Sequence, residues 1–101
     1  MIIQRWEAPL VPTKTQIERQ YLSEGLEVFE ETYKPQQPVR EHRHPFCEVR
    51  TLLQGEMLFN IAGNQFVLRS GDRVEIPANT RHTHTAQGNQ DCVCLVGYRA
   101  I

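Results

Sequence analysis

His42-Arg43-His44-Pro45-Phe46-Cys47-Glu48 sets two imidazoles with one residue between them and a carboxylate four residues further on. In an extended strand side chains alternate, so His42 and His44 project to the same side. Glu48 has the same parity and shares that side if the strand is regular. Pro77-Ala78-Asn79-Thr80-Arg81-His82 then brings a third imidazole, just beyond a turn, from elsewhere in the fold. Three imidazoles and a carboxylate gathered in one place suit a metal ion, which makes metal chemistry the first hypothesis. Cys47 lies inside the motif, but strand parity points it away from His44 and Glu48, so it is not assigned as a ligand. A bulge would reverse that assignment.

Outward from this motif the chain reads as many short strands. Strand material runs from Val39 through the histidine-rich segment to Leu53, and Gln54-Gly55 is a tight connection. Glu56 to Ile61 and Gln65 to Leu68 form a hairpin around Ala62-Gly63-Asn64, where Gly63 can take positive φ. Arg69-Ser70-Gly71-Asp72 turns into a short strand, Arg73 to Ile76, ended by Pro77. Further strands are expected at Thr80 to Ala86 and Asp91 to Tyr98, separated by Gln87-Gly88-Asn89. On the N-terminal side, Thr13 or Thr15 can cap a helix through Gln16 to Leu22, with Gly25 as its stop. Ile17, Tyr21 and Leu22 give that helix a narrow apolar stripe able to cover one edge of a sheet. Leu26 to Tyr33 reads as the strand that follows. Regular Gly and Pro turns between short strands predict an antiparallel sandwich or barrel.

The whole-chain numbers agree with one domain spanning residues 1–101, a length that leaves little room for a second core. Eleven basic and twelve acidic side chains leave a formal charge of −1, which offers no nonspecific pull toward nucleic acid or an anionic membrane. No apolar run reaches the roughly 18 residues of a membrane span. The start lacks the pattern of a secretory signal, so a cytoplasmic location is expected. Three cysteines make no disulfide framework, and Cys92 and Cys94, two apart in one strand, span a bridge poorly. They are expected as buried free thiols.

The spacing of the histidine motifs resembles that of a small, single-domain cupin. The first cupin motif has the form G-x5-H-x-H-x3,4-E-x6-G, and His42, His44, Glu48 and Gly55 fall at its spacing. The second has the form G-x5-P-x-G-x2-H-x3-N, matched by Gly71, Pro77 and His82, with Asn79 in the second glycine position. Asparagine tolerates left-handed backbone angles, which keeps that turn feasible. Gln36 stands where the first motif opens with glycine, and Ala86 where the second closes with asparagine. Neither position is a metal ligand in the family pattern.

This resemblance implies an all-β fold, a double-stranded β-helix or jelly-roll barrel with a short N-terminal helix, its core spanning approximately residues 26–98. It implies a divalent transition metal, iron, manganese, nickel, cobalt or zinc, held by His42, His44, Glu48 and His82 inside one end of the barrel. It does not choose a reaction, because one fold hosts many chemistries. A metal-dependent dioxygenase or isomerase acting on a small molecule, and a non-catalytic ligand-binding module, both remain open.

His84 shares the parity of His82 and is the candidate acid–base group, or else a polar lining residue. Among Arg50, Arg73 and Arg81, Arg50 has the ligand parity and is the candidate anchor for a substrate carboxylate or phosphate. Phe46, Phe59, Phe66 and Met57 are expected in barrel or interface packing. A homodimer is expected from open sheet edges and a modest core, with Trp6 covering an edge.

Overall fold

The computed structural model describes residues 1–99, Pro38 by its backbone alone. Nine strands and one helix follow in the order β1 (Ile2–Gln4), α1 (Lys14–Ser23), β2 (Phe29–Tyr33), β3 (Pro38–His42), β4 (Cys47–Gln54), β5 (Glu56–Ile61), β6 (Asn64–Leu68), β7 (Arg73–Ile76), β8 (His82–Gln87) and β9 (Cys92–Arg99). They build a five-stranded sheet ordered β1-β7-β4-β9-β2 and a four-stranded sheet ordered β3-β8-β5-β6. Every pairing is antiparallel. The two sheets close over one core in a jelly-roll barrel, within the sandwich or barrel class that the strand pattern predicted and as the resemblance implied.

Alternation along the strands explains what each face buries. Leu52, Met57, Phe59, Ile61, Leu68, Val74, Ile76, Cys92, Cys94 and Val96 fill the space between the sheets. The opposite residues of β4 and β9, Val49 and Leu95, face outward and are covered by Ile17 and Tyr21 of α1 and by Leu26. The central strands β4 and β9 are therefore buried on both sides. This accounts for the nearly continuous burial of β4 from Glu48 to Leu52.

Thr13 caps α1 with a reciprocal box: its side chain accepts from the Gln16 amide, and its own amide donates to Gln16 Oε1 at 2.8 Å. Gly25, at φ 77°, follows the helix as expected. Ile17 and Tyr21 face the sheet, but Leu22 is 66% exposed, so the apolar stripe is narrower than the sequence suggested. Tyr21 is fully buried, its hydroxyl bonded to Thr51 Oγ1 at 2.7 Å. Gly97 makes room for it, since a Cβ there would meet the Glu27 carbonyl at 2.9 Å and the Tyr21 ring at 3.1 Å.

Three differences from the sequence reading concern backbone path. The expected strand from Val39 to Leu53 is two strands, β3 and β4, in different sheets, parted by Arg43–Phe46. Pro45 within that link has no amide to give a ladder. The strand expected at Leu26 begins only at Phe29, because Leu26 turns beneath the helix. Ile2–Gln4, unassigned in the sequence, pairs with β7 as an edge strand. Beyond it, Trp6 lies on Gly71, where a Cβ would come within 2.6 Å of the indole. Asp72 clamps this arm by accepting from the Trp6 amide and from Arg5, each at 2.8 Å.

The left-handed turns fall where the motifs need them. Ala62 and Gly63, at φ 50° and 86°, form the two-residue hairpin turn between β5 and β6. Asn79 stands at φ 56° in the second-motif turn, and Gln36 at φ 61° where the first motif opens with glycine.

Candidate metal centre

The break between β3 and β4 builds the site. His42 ends β3 directly opposite His82 at the start of β8, both in the four-stranded sheet. Glu48 lies in β4 of the other sheet, between Ile76 and Tyr98. His44 sits in the link that crosses from one sheet to the other. The Asn79 amide donates to the His44 carbonyl at 2.6 Å, tying the second-motif turn to the first-motif link. Strand parity is thus not what unites His42, His44 and Glu48; sheet closure is.

One ligating atom from each of His42, His44, Glu48 and His82 lies within 4.8 Å of all the others. His44 Nε2 is 3.3 Å from Glu48 Oε1, and His82 Nε2 is 3.5 Å from Glu48 Oε2. Glu48 Oε1 and His82 Nε2 are buried without a hydrogen-bond partner among the described residues. Such orphaned atoms cost on the order of 1–3 kcal/mol each unless something else satisfies them. Two backbone carbonyls set the ring tautomers. His42 Nδ1–H donates to the Arg40 carbonyl at 2.7 Å and His82 Nδ1–H to that of Thr80 at 3.0 Å, which leaves both Nε2 lone pairs free. Three imidazoles with free nitrogens and a carboxylate fit a divalent transition metal ion, and this cluster can coordinate one.

The electrostatics favour positive charge at this point. Burial alone would raise the Glu48 carboxyl, yet His82 and Arg50 outweigh it and hold Glu48 well below the usual carboxylate range. Burial opposes charge on His82 as well, but Glu48 and the Thr80 carbonyl leave its pKa raised. The His44 ring is pushed down, chiefly by burial. A carboxylate that holds a proton on its neighbour can hold a cation in the same place.

Behind the ligands, Arg50 and His84 are almost wholly buried, at 3% and 1% exposure. Arg50 Nε donates to Glu48 Oε2 at 2.9 Å, and Nη2 reaches Glu31 Oε2 at 3.5 Å. Glu31 in turn accepts from the Tyr33 hydroxyl, and the Tyr33 ring lies 5.8 Å from the Arg50 guanidinium. Arg50 Nη1 and both ring nitrogens of His84 have no partner among the described residues. Burial, and next the Arg50 charge, pushes the His84 pKa down to about 3, so the ring is neutral at ordinary pH. His84 is not one of the four clustered ligands; its ring stacks 6.4 Å from that of His82.

At the open side, Phe46 stacks on His44 at 4.9 Å and Tyr98 meets Phe46 edge-on at 4.6 Å. Phe46 is thus part of the site wall, whereas Phe59, Phe66 and Met57 pack in the barrel as expected. Cys47, half-buried, lines a separate small cavity with Ile2, Pro77 and Arg99, and lies outside the ligand cluster. Glu31, Tyr33 and Tyr98 are the site residues that sequence reasoning missed. The signal that could have found them was register: Glu31 and Tyr33 pair with Cys94 and Cys92, whose side chains face the barrel interior.

Comparison with known proteins agrees with this geometry. The chain is 34% identical over 61 residues to an acireductone dioxygenase of Bacillus licheniformis, covering 55% of this chain and 34% of that protein. It therefore spans about a third of the length of the curated relative it matches. Among solved structures, a predicted oxalate decarboxylase of Thermotoga maritima superposes with a TM-score of 0.70 at 20% identity, over 82% of this chain and 74% of that one. A cupin protein of Bacteroides fragilis gives 0.67 at 21% identity, over 74% and 65% of the two chains. These likenesses establish the fold. Residues 29–98 match the family of cupin domains. With both motifs placed on one barrel end and most of the chain inside the match, the chain belongs to the cupin domain family.

Proposed function

We propose that this cupin, acting as a single domain, holds a divalent transition metal through His42, His44, Glu48 and His82 and uses it on a small molecule. The observation that carries this reading is the convergence of four ligating atoms within 4.8 Å, with Glu48 Oε1 and His82 Nε2 buried and without a hydrogen-bond partner among the described residues. A bound ion would supply Lewis-acid polarisation or, if iron, redox chemistry. The chain's own groups do the rest. Phe46 and Tyr98 exclude water and restrict the size of what approaches. Arg50 Nη1 offers a donor to an oxygen of that molecule. His84, with two free ring nitrogens, is the group for proton exchange beside His82.

The likeness to an acireductone dioxygenase favours an oxygen-dependent reaction on an acireductone-type enediol. A non-catalytic ligand-holding module is the second reading, favoured because that match spans only 34% of the relative. No helix of the described residues is long and apolar enough to cross a membrane. The exposed side chains of Ile2, Trp6, Leu10 and Val11 support a homodimer, which light scattering checks. Balanced charge supports a small-molecule rather than a nucleic-acid partner, and three free thiols support a cytoplasmic setting.

The test is elemental analysis of protein purified without oxygen or added metal, beside His44→Ala. Near-stoichiometric metal in the wild type and its loss in the variant are expected. Equal metal content in both would refute the assignment. Iron should be accompanied by oxygen uptake with an acireductone; a metal-loaded protein that binds one without turnover identifies the module.

A further inference from the structure

We propose that Arg50 is a positioning residue that reserves one oxygen of Glu48 and gives the metal centre surplus positive charge, so that the centre selects an anionic ligand. This rests on the four-ligand reading above and adds to it the charge class of what binds.

The geometry starts at Glu48, whose two oxygens are not equivalent. Oε2 accepts from Arg50 Nε at 2.9 Å, while Oε1 is buried without a hydrogen-bond partner among the described residues and lies 3.3 Å from His44 Nε2. Arg50 thereby engages one carboxylate oxygen, which still lies 3.5 Å from His82 Nε2, and leaves Oε1 as the oxygen free for an ion. The guanidinium is itself fixed from behind by Glu31 and by the face of Tyr33. This places a planar, permanently charged fork against a ligand carboxylate, a task that lysine performs poorly.

Charge counting gives the consequence. Three neutral imidazoles and one carboxylate leave a divalent ion with one net positive charge, and Arg50 adds a second. Glu31 offsets this only in part, because its side chain is 34% exposed and water screens it. Arg50, with a side chain 4% exposed, acts through a medium of low dielectric. Its unpartnered Nη1 lies in the same buried polar region, where an acceptor is lacking. An anion near the ion meets both demands, whereas a neutral acceptor meets only the hydrogen-bonding one and a cation meets neither.

The test uses cobalt(II)-loaded protein titrated with azide, read by the visible cobalt spectrum. Arg50→Met should weaken azide by about tenfold and change the spectrum; Arg50→Lys, which keeps the charge but not the fork, should recover azide affinity to within about threefold of wild type while the spectrum stays altered. Azide binding by Arg50→Met as tight as wild type overturns the proposal. Should Arg50→Met fail to fold, Glu31→Gln decides: removing the outer counter-charge should tighten azide by about twofold, and unchanged or weaker binding overturns the proposal. Wild type that takes up no cobalt sinks the metal reading itself, whereas normal cobalt uptake with unaltered azide binding sinks only the role given to Arg50.

Discussion

The middle of the five-stranded sheet buries both faces, and the two are built to opposite rules. On the outer face, Tyr21 bonds Thr51, and Arg73 makes two bonds of 2.7 Å to Glu24, leaving only its Nε without an acceptor. On the inner face, near one barrel end, Glu48 Oε1, Arg50 Nη1, His82 Nε2 and both nitrogens of His84 lack partners among the described residues. Residues on both sides are buried, Val49 and Leu95 on the outer face and Leu52 and Val96 on the inner one. What differs is satisfaction: the polar groups of the outer face largely bond one another, whereas those of the inner face lack partners among the described residues. Unsatisfied buried polar atoms are costly, so their concentration at one place in a folded chain marks a binding site.

This contrast can be broken most forcefully on the outer face. Tyr21→Ala removes the largest side chain beneath α1 and strands Thr51, so urea unfolding should show a loss of about 3–5 kcal/mol. Bound metal per folded chain should stay unchanged. If metal falls in proportion to stability, the two faces are not independent.

The inner face predicts a middle-sized effect. Metal at a hundredfold excess over its Kd should stabilise wild type by about 2.7 kcal/mol, measured by denaturant midpoints with and without chelator. His82→Ala should abolish that increment, while a conservative outer change, Tyr21→Phe, should leave it intact. Equal metal stabilisation of the His82 variant would erase the distinction drawn between the faces.

The smallest effect belongs to the N-terminal arm. Burial works against the Asp72 charge, but the amides of Trp6 and Arg69 and the Arg5 guanidinium hold its pKa below the ordinary value of 3.8. A depressed folded pKa means the stabilisation is fully present above that ordinary value and is lost as pH falls through the lower folded one. Trp6 is the only tryptophan in the chain, so its emission should report release of the arm in that acid range. Asp72→Asn should cost about 1 kcal/mol at neutral pH and flatten the acid response. An unchanged acid transition in that variant would rule out the clamp.

Much of the fold and of the metal centre is legible in the amino-acid sequence. The four ligands, the hairpin at Ala62-Gly63, the capping threonine and the left-handed Asn79 each depend on spacing or on the backbone freedom of one residue type. Those are local properties, and local chemistry is what a sequence displays. The parity argument reached the residues that cluster, but by a path the fold does not use. His42 and Glu48 meet because β3 and β4 enter opposite sheets, with Pro45 in the link between them.

Tertiary structure alone decided the rest. Arg50 and Arg73 have the same side chain and both lie in strands, yet one braces a metal ligand and the other anchors a helix end. Glu31 joined the site only when β2 paired with β9. The identity and spacing of the ligands are written along the chain, because a metal needs particular donor atoms at particular intervals. Which charges are buried, which are paired and which are left free depends on sheet closure, because burial and partnership are properties of surfaces that meet only in the folded barrel.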